Sequence, residues 1–513
     1  MKTNSLDLKK VAKNTVMLYI RMFFAMIVGI YTSRIVLQTL GVVDYGVYNV
    51  VGGIVAMLGF LNLSLGNATA RFITVCIGEN NVERLKKVFS TALILHIIIA
   101  LIVAFVVETA GLWYLTNHLN IPINRVDAAF WVLQFSILSA MISITQVPYN
   151  SCVIAHESMD VFAYVEILNS FLKLVIVFFL TICDVDKLIL YSILSLGVVV
   201  LIASIYRIYC KCKYEECVTR FVFDHSIAKD MIFFSGWNGL GTFSQYAETQ
   251  GSNLVLNAFF GPIANAAAGL ATTVNGIVVG FAGNICMAFN PPIIKSYSNK
   301  EWNNFNYLIV NSSKYSLAFF QMLMIPVIFE APFLLNLWLG SVPQYVVIFM
   351  RLILIVAFFD LAARIVNTGI IASAQLKWPC IIASLCFMLS VLLSLILLVN
   401  DGSAYYVYVV MIMTHSIILF VYIYYLHKIE PNFKPFALVC GAYIKIILLI
   451  VLNSIIIFYL NSVFRSDALT LTTACVSSFA ITAIYTLLIL ANKKERATIV
   501  QKTNAITSKM LCK

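Results

Sequence analysis

The feature that most constrains this chain is an apolar run of about 20 or more residues that recurs from one end of the sequence to the other. A helix rises about 1.5 Å per residue, so each run is long enough to cross the roughly 30 Å hydrocarbon core of a bilayer. Bounded by polar and turn residues, the runs fall at 14–40, 46–70, 86–115, 128–148, 157–182, 187–209, 229–260, 263–290, 306–337, 343–372, 378–400, 403–427, 436–461 and 467–491. They predict an all-α polytopic membrane protein with about 14 transmembrane helices. Composition agrees, since 61% of the 513 residues are hydrophobic and 11% are charged, against about 45–50% and about 25% in a soluble domain. A water-soluble fold is excluded.

Charge sets the orientation. The formal net charge is +11, and its location matters more than its size. If the N-terminus lies inside, the N-terminal segment, the inner loops and the C-terminal tail hold 24 Lys and Arg, whereas the outer loops hold Arg125, Lys187 and Arg465. Cytoplasmic loops carry such an excess, so both termini are expected in the cytoplasm, and no nucleic acid is needed to explain the basic balance. The basic start MKTNSLDLKK leads into a run of full spanning length with no small-residue cleavage site, and reads as a first span and not as a removable signal. No outer loop exceeds about a dozen residues, too short for a catalytic domain. GxxxxGK[ST] and HExxH are absent from the sequence, which argues against an ATP-driven pump or a zinc protease.

Two stretches correspond at an offset of about 220 residues. VLQTLGVVDYG (Val36 to Gly46) and VLNAFFGPIANA (Val255 to Ala266) each close a span with a glycine, Gly41 or Gly261, and Gly66-Asn67 recurs as Gly283-Asn284. Six intervening spans preserve topology, so the halves are expected to be parallel repeats about a pseudo-twofold axis along the membrane normal. The expected organisation is a six-span lobe at 1–220, a second at 221–435, two additional spans at 436–492 and a basic cytoplasmic tail at 493–513.

Seven basic residues fall inside spans: Arg21, Arg34, Lys173, Lys314, Arg351, Arg364 and Lys445. Each costs about 2.5–3.5 kcal/mol at mid-membrane, so these side chains should face protein or water. Lys314 and Lys445, near span ends, are expected to reach the headgroups. Polar stripes at helical spacing sharpen the selection. Tyr31, Arg34 and Gln38 share one face of the first span, Glu166, Asn169 and Lys173 one face of the fifth, Asn238, Gln245 and Ser252 recur along the seventh beside Glu248, and Asp360, Arg364 and Asn367 line up in the tenth. The candidate cationic and polar cavity is therefore Arg21, Arg34, Gln38, Lys173, Asn238, Gln245, Arg351 and Arg364, with Glu166, Glu248 and Asp360 as candidate coupling carboxylates. Each ion pair among them, Asp360 with Arg364 or Glu166 with Lys173, could equally be a buried packing pair. The residue types point to binding and not bond-making: guanidinium forks suit phosphate, and amides, Tyr and Trp suit sugar hydroxyls and ring faces. No catalytic residue and no cofactor is expected.

Most of the 12 cysteines sit in apolar runs, where Cys behaves as a small hydrophobe. Cys210, Cys212 and Cys217 cluster on an expected cytosolic loop, where a disulfide is disfavoured. Only His225 lies near them in sequence as a further ligand, so no metal site is expected.

The opening unit carries a resemblance: a basic N-terminus, SRIVLQTLGVVDYGVYNVVGGIVAMLGFLN (Ser33 to Asn62), then GNATARFI (Gly66 to Ile73). It resembles the polysaccharide-export flippases of the MOP superfamily, the Wzx-type O-antigen or capsule repeat-unit flippases. That resemblance implies a MATE-like fold in the bacterial inner membrane and lobes that rock around a cationic cavity. It implies as cargo an undecaprenyl-diphosphate-linked oligosaccharide among the membrane lipids, and as partners a polysaccharide polymerase and a chain-length regulator. In many such proteins an Arg stands three residues before the glycine that ends the first helix; here Gln38 holds that place and Arg34 lies one turn earlier.

Two rivals remain open. A cation-coupled multidrug exporter of the same superfamily should have carboxylates dominating its cavity, whereas intramembrane bases here at least match acids. A membrane polymerase or acyltransferase would want a long outer loop or a catalytic His, and neither is evident.

Overall fold

The computed structural model describes residues 5–56 and 81–491, apart from 157, 184, 219–221, 374, 401 and 464–466, together with isolated positions between 65 and 77 and residue 496. For some of these, including Arg21, Trp237 and Asn238, only the backbone is described. The tail expected at 493–513 lies, Arg496 excepted, outside the described residues.

Among the described residues there is no strand. The helices are α1 (Ser5–Ala56), α2 (Val82–Val106), α3 (Val126–Ala155), α4 (Met159–Ile182), α5 (Lys187–Lys213), α6 (His225–Ser298), α7 (Trp302–Phe329), α8 (Ala331–Leu339), α9 (Val346–Ser373), α10 (Lys377–Val399), α11 (Tyr406–Ile429), α12 (Ile444–Val463) and α13 (Asp467–Tyr485). Among the described residues twelve helical stretches are long and apolar enough to cross a membrane, which makes this a multi-pass membrane protein. Ten correspond one to one with expected spans. The other two, 26–55 and 239–283, each run through two expected spans, so the expected count of fourteen is not the number of separate helices found.

The reason lies in two glycines. Gly41 breaks α1 at φ 79°, ψ 167°, and Gly261 breaks α6 at φ 69°, ψ −168°. Positive φ with ψ near 180° is a region that essentially only glycine occupies. The residues paired by the sequence offset thus share one unusual backbone conformation. Just beyond each break the chain packs closely: a Cβ on Gly46 would lie 1.9 Å from the Pro262 carbonyl oxygen. Alongside, the Asn120 amide donates to Asn257 Oδ1 at 2.8 Å, Asn257 Nδ2 to Asn265 Oδ1 at 2.9 Å, and Asn265 Nδ2 to the Asn253 carbonyl at 2.7 Å.

The chain forms two compact units. The first comprises residues 1–273, 343–346 and 380–410, and the second 274–342, 347–379 and 411–513. In the first, α3 packs against α2 and α5, and α1 against α4 and α3. Its helix starts are capped: Asp186 Oδ1 accepts from the amides of Leu188 and Ile189, and Asp224 Oδ1 from those of Ser226 and Ile227, each cap stabilising by about 1 kcal/mol. Arg125 bonds Asp44 through Nε (2.7 Å) and Asp186 through Nη1 (2.7 Å). One guanidinium fork thereby ties α1 and the start of α5 to the start of α3.

In the second unit α12 and α13 dock on α7 through buried amides and hydroxyls. Gln321 Nε2 donates to Thr482 Oγ1 (2.8 Å), Asn453 Nδ2 to Gln321 Oε1 (2.9 Å), and Ser478 Oγ to the Met322 carbonyl (2.9 Å). Glu330 accepts from Asn461 Nδ2 and Thr470 Oγ1. Lipid offers no hydrophobic drive for helix association, so such bonds and close packing attach the two C-terminal helices.

Candidate functional site: two adjoining polar cavities

The fifth-span stripe predicted from sequence lies on α4 and opens into two cavities of the first unit. The larger, about 470 Å³, is lined by Thr32 and Ser33 of α1 before its break, Tyr45, Tyr48 and Asn49 after it, Asn169 and Lys173 of α4, and Tyr191 and Ser195 of α5. The other, about 460 Å³, is lined by Ser143, Gln146, Asn150 and Ser151 of α3 with Glu166 and again Asn169. Asn169 and Val199 line both, so the cavities adjoin.

Glu166 and Lys173 stand at opposite ends of this space. They are seven residues apart, about 10 Å along the helix axis, and among the described residues neither enters an ion pair. Mutual neutralisation by packing is therefore not what holds them. The Lys173 ammonium is exposed to a space walled by hydroxyls and amides, the environment a cation needs at mid-membrane depth. Around it the Tyr48 and Tyr191 rings meet edge to face with centroids 4.7 Å apart, and Asn49 Nδ2 is held by the Tyr45 carbonyl at 2.8 Å. The wall thus offers one cation, amides and hydroxyls of both hydrogen-bond senses, and aromatic faces.

The other candidates are placed as follows. Arg34 is half-buried and Gln38 exposed, and neither lines these cavities; the α1 face that does is Gly29, Thr32, Ser33 and Val36. Arg21 and Asn238 lie on α1 and α6 with side chains outside what is described. Gln245 is half-buried and Glu248 fully buried, and both have partners. In the second unit Arg364 Nη2 bonds Asp360 Oδ2 at 2.7 Å, with His415 Nδ1 3.9 Å from Asp360 and Thr368 linking to Asn290. Arg351 Nε donates to the Ile328 carbonyl at 2.9 Å, which caps the end of α7. Sequence reasoning missed Tyr45, Tyr48 and Asn49. Their i, i+3, i+4 spacing after Gly41 was the available signal.

No family model and no curated protein sequence matches the chain. Comparison with solved structures defines the fold as that of the MOP-superfamily transporters. The lipid II flippase MurJ in an inward-closed conformation superposes with a TM-score of 0.68 at 14% identity, over 92% of this chain and 98% of that one. An inward-facing multidrug-resistance MATE transporter gives 0.65 at 15% identity, over 80% and 95%. A MOP-superfamily transporter from Pyrococcus furiosus, whose binding pocket is described as of reverse polarity, gives 0.55 at 14% identity, over 82% and 96%. At such identities the likeness carries the fold and leaves the cargo to be argued from the site.

Proposed function

We propose that this protein is a flippase for a lipid-linked oligosaccharide diphosphate, working in the cytoplasmic membrane with both termini in the cytosol. It moves its cargo by alternating access of repeated lobes at 1–220 and 221–435. The observation that carries the reading is Lys173: an ammonium without a carboxylate partner among the described residues, facing a cavity of Tyr, Asn, Ser and Thr side chains. An organic cation would be repelled there, whereas a phosphate gains a charge-assisted contact and a sugar finds hydroxyl partners and ring faces. The matching glycine breaks support the repeat, and the fold shared with MurJ and MATE structures supports transport over catalysis.

The test is reconstitution of the purified chain in liposomes with a fluorescent polyprenyl-diphosphate oligosaccharide, following its exposure to an impermeant quencher. Wild type should flip it, Lys173→Ala should slow flipping about tenfold or more at equal protein incorporation, and Lys173→Arg should retain most of it. Full activity in Lys173→Ala would remove the assignment, and transport of a cationic dye in its place would favour the exporter reading.

A further inference from the structure

At the end of α3 opposite the cavity wall, the fold gathers a ligand set that the sequence scatters over 65 residues. Cys152 and His156 stand one helical turn apart at the end of α3, and Glu216 and Cys217 lie in the short turn Glu215–Cys217 after α5. His156 Nε2 is 2.6 Å from Glu216 Oε1, Cys152 Sγ is 3.3 Å from the same oxygen, and Cys217 Sγ is 3.7 Å from Cys152 Sγ. Cys152, His156 and Glu216 present ligand atoms that all lie within 4.8 Å of one another. Cys210, fully buried, is a third thiol on the end of α5, its Sγ donating to the Tyr149 carbonyl at 3.6 Å. The His156 ring is fixed by stacking on Tyr214, centroids 4.1 Å apart at 9°.

We infer that this cluster is a structural binding site for a thiophilic divalent cation, Zn²⁺ above all, with Cys152 Sγ, Cys217 Sγ, His156 Nε2 and a Glu216 oxygen as the four ligands. Four-coordinate Zn²⁺ with Zn–S near 2.3 Å and Zn–N near 2.0–2.1 Å places its ligands roughly 3.2–3.8 Å apart, and the Cys152–Cys217 and Cys152–Glu216 separations already fall in that range. The His156–Glu216 hydrogen bond has to open, and Cys217 Sγ, which touches Cys152 but lies outside the group of three ligand atoms within 4.8 Å, has to turn toward His156 and Glu216. Entry of the ion displaces the two thiol protons to water and leaves the thiolates as ligands. The basic residues Lys211 and Lys213 flank the site, which the charge distribution assigns to the cytosol, where thiols stay reduced. The ion would pin the loop after α5 to the end of α3, whose other face, through Gln146, Asn150 and Ser151, walls the Glu166 cavity.

The full chain, purified in detergent from cells grown with zinc, is assayed by elemental mass spectrometry. About one zinc per chain is expected in wild type and in Cys212→Ser, which removes an exposed thiol nearby, and at least a tenfold loss in Cys152→Ser/Cys217→Ser. A readout on wild type alone guards against misfolding of that variant. After chelation, Cd²⁺ should restore a thiolate-to-cadmium ultraviolet absorption that saturates at one equivalent, and Zn²⁺ should slow alkylation of Cys152 and Cys217 but not of Cys212. Substoichiometric zinc in wild type with no such absorption, or equal metal in the double variant, overturns the inference. Each readout is independent of transport, so the cargo reading can fail while this one stands.

Discussion

Gly46→Ala tests whether the packing of α1 against the turn after Gly261 is a close backbone fit. The added Cβ would sit 1.9 Å from the Pro262 oxygen and 2.6 Å from its carbonyl carbon, against an ordinary contact of 3.4 Å or more. The two segments must therefore part by about 1.5 Å, and no rotamer change helps because the opposing atoms are backbone. Overpacking of this kind costs about 1–3 kcal/mol, and alanine returns about 0.5–1 kcal/mol through helix propensity. At the middle of these ranges the net is about 1.2 kcal/mol, which corresponds to a factor of about 8 in the population of the packed arrangement. Gly52→Ala is the control, since a Cβ there meets nothing within 4 Å. The assay is the rate at which an impermeant maleimide labels Ala264→Cys, a fully buried position just after Gly261, together with the melting midpoint in detergent. Faster labelling and a lower midpoint in Gly46→Ala, with Gly52→Ala at the parental values, are expected. If the two alanine variants behave alike, the close fit does not govern this packing.

Other outcomes can be checked with the same preparation. Arg125→Ala leaves Asp44 and Asp186 facing each other without their shared cation and should cost about 1–2 kcal/mol, intermediate between exposed and buried pairs, read as a lower melting midpoint. Burial alone would raise the Asp186 carboxyl, but the Arg125 hydrogen bond and charge and the Leu188 and Ile189 amides outweigh it and hold it below its ordinary value of 3.8. Its contribution is therefore complete above about pH 4 and is lost as pH falls through the depressed value. Wild type should lose stability below about pH 4 more steeply than Arg125→Ala, and parallel slopes would count against the clamp. Asn453→Ala should weaken the hold of α12 on α7 by about 1–2 kcal/mol, because Gln321 Oε1 loses its donor inside the protein; unchanged protease resistance of the C-terminal helices would contradict this.

The elements legible in the sequence were those with a period or a special residue. Apolar runs gave the helices, the span-closing glycines Gly41 and Gly261 gave both breaks, and the 166, 169, 173 spacing gave the α4 stripe that lines the cavities. Asp360 and Arg364 form the ion pair that their i, i+4 spacing suggested. Contacts that depend on tertiary approach were illegible. Asp44 of the DYG stretch reads as a turn residue until Arg125, 81 positions away, is seen to clasp it. The face of α1 that meets the cavity is one step round from Tyr31, Arg34 and Gln38, because helix rotation is set by packing against α4 and not by polarity alone. The cysteines of 210–217 gave no expectation of a metal site, because only His225 lies near them in sequence and His156, which meets Glu216, comes from another helix.

Gly41 and Gly46, five residues apart, are glycines for opposite reasons. A Cβ at Gly41 would find open space, yet its φ of 79° suits only the mirror image of an L-residue. At Gly46 the backbone is ordinary and the space is missing. One position excludes side chains by handedness and the other by volume. A D-alanine would in principle satisfy the first and never the second, while a slimmer neighbour in place of Pro262 would leave both constraints intact, because Gly46 collides with the main chain that every residue carries.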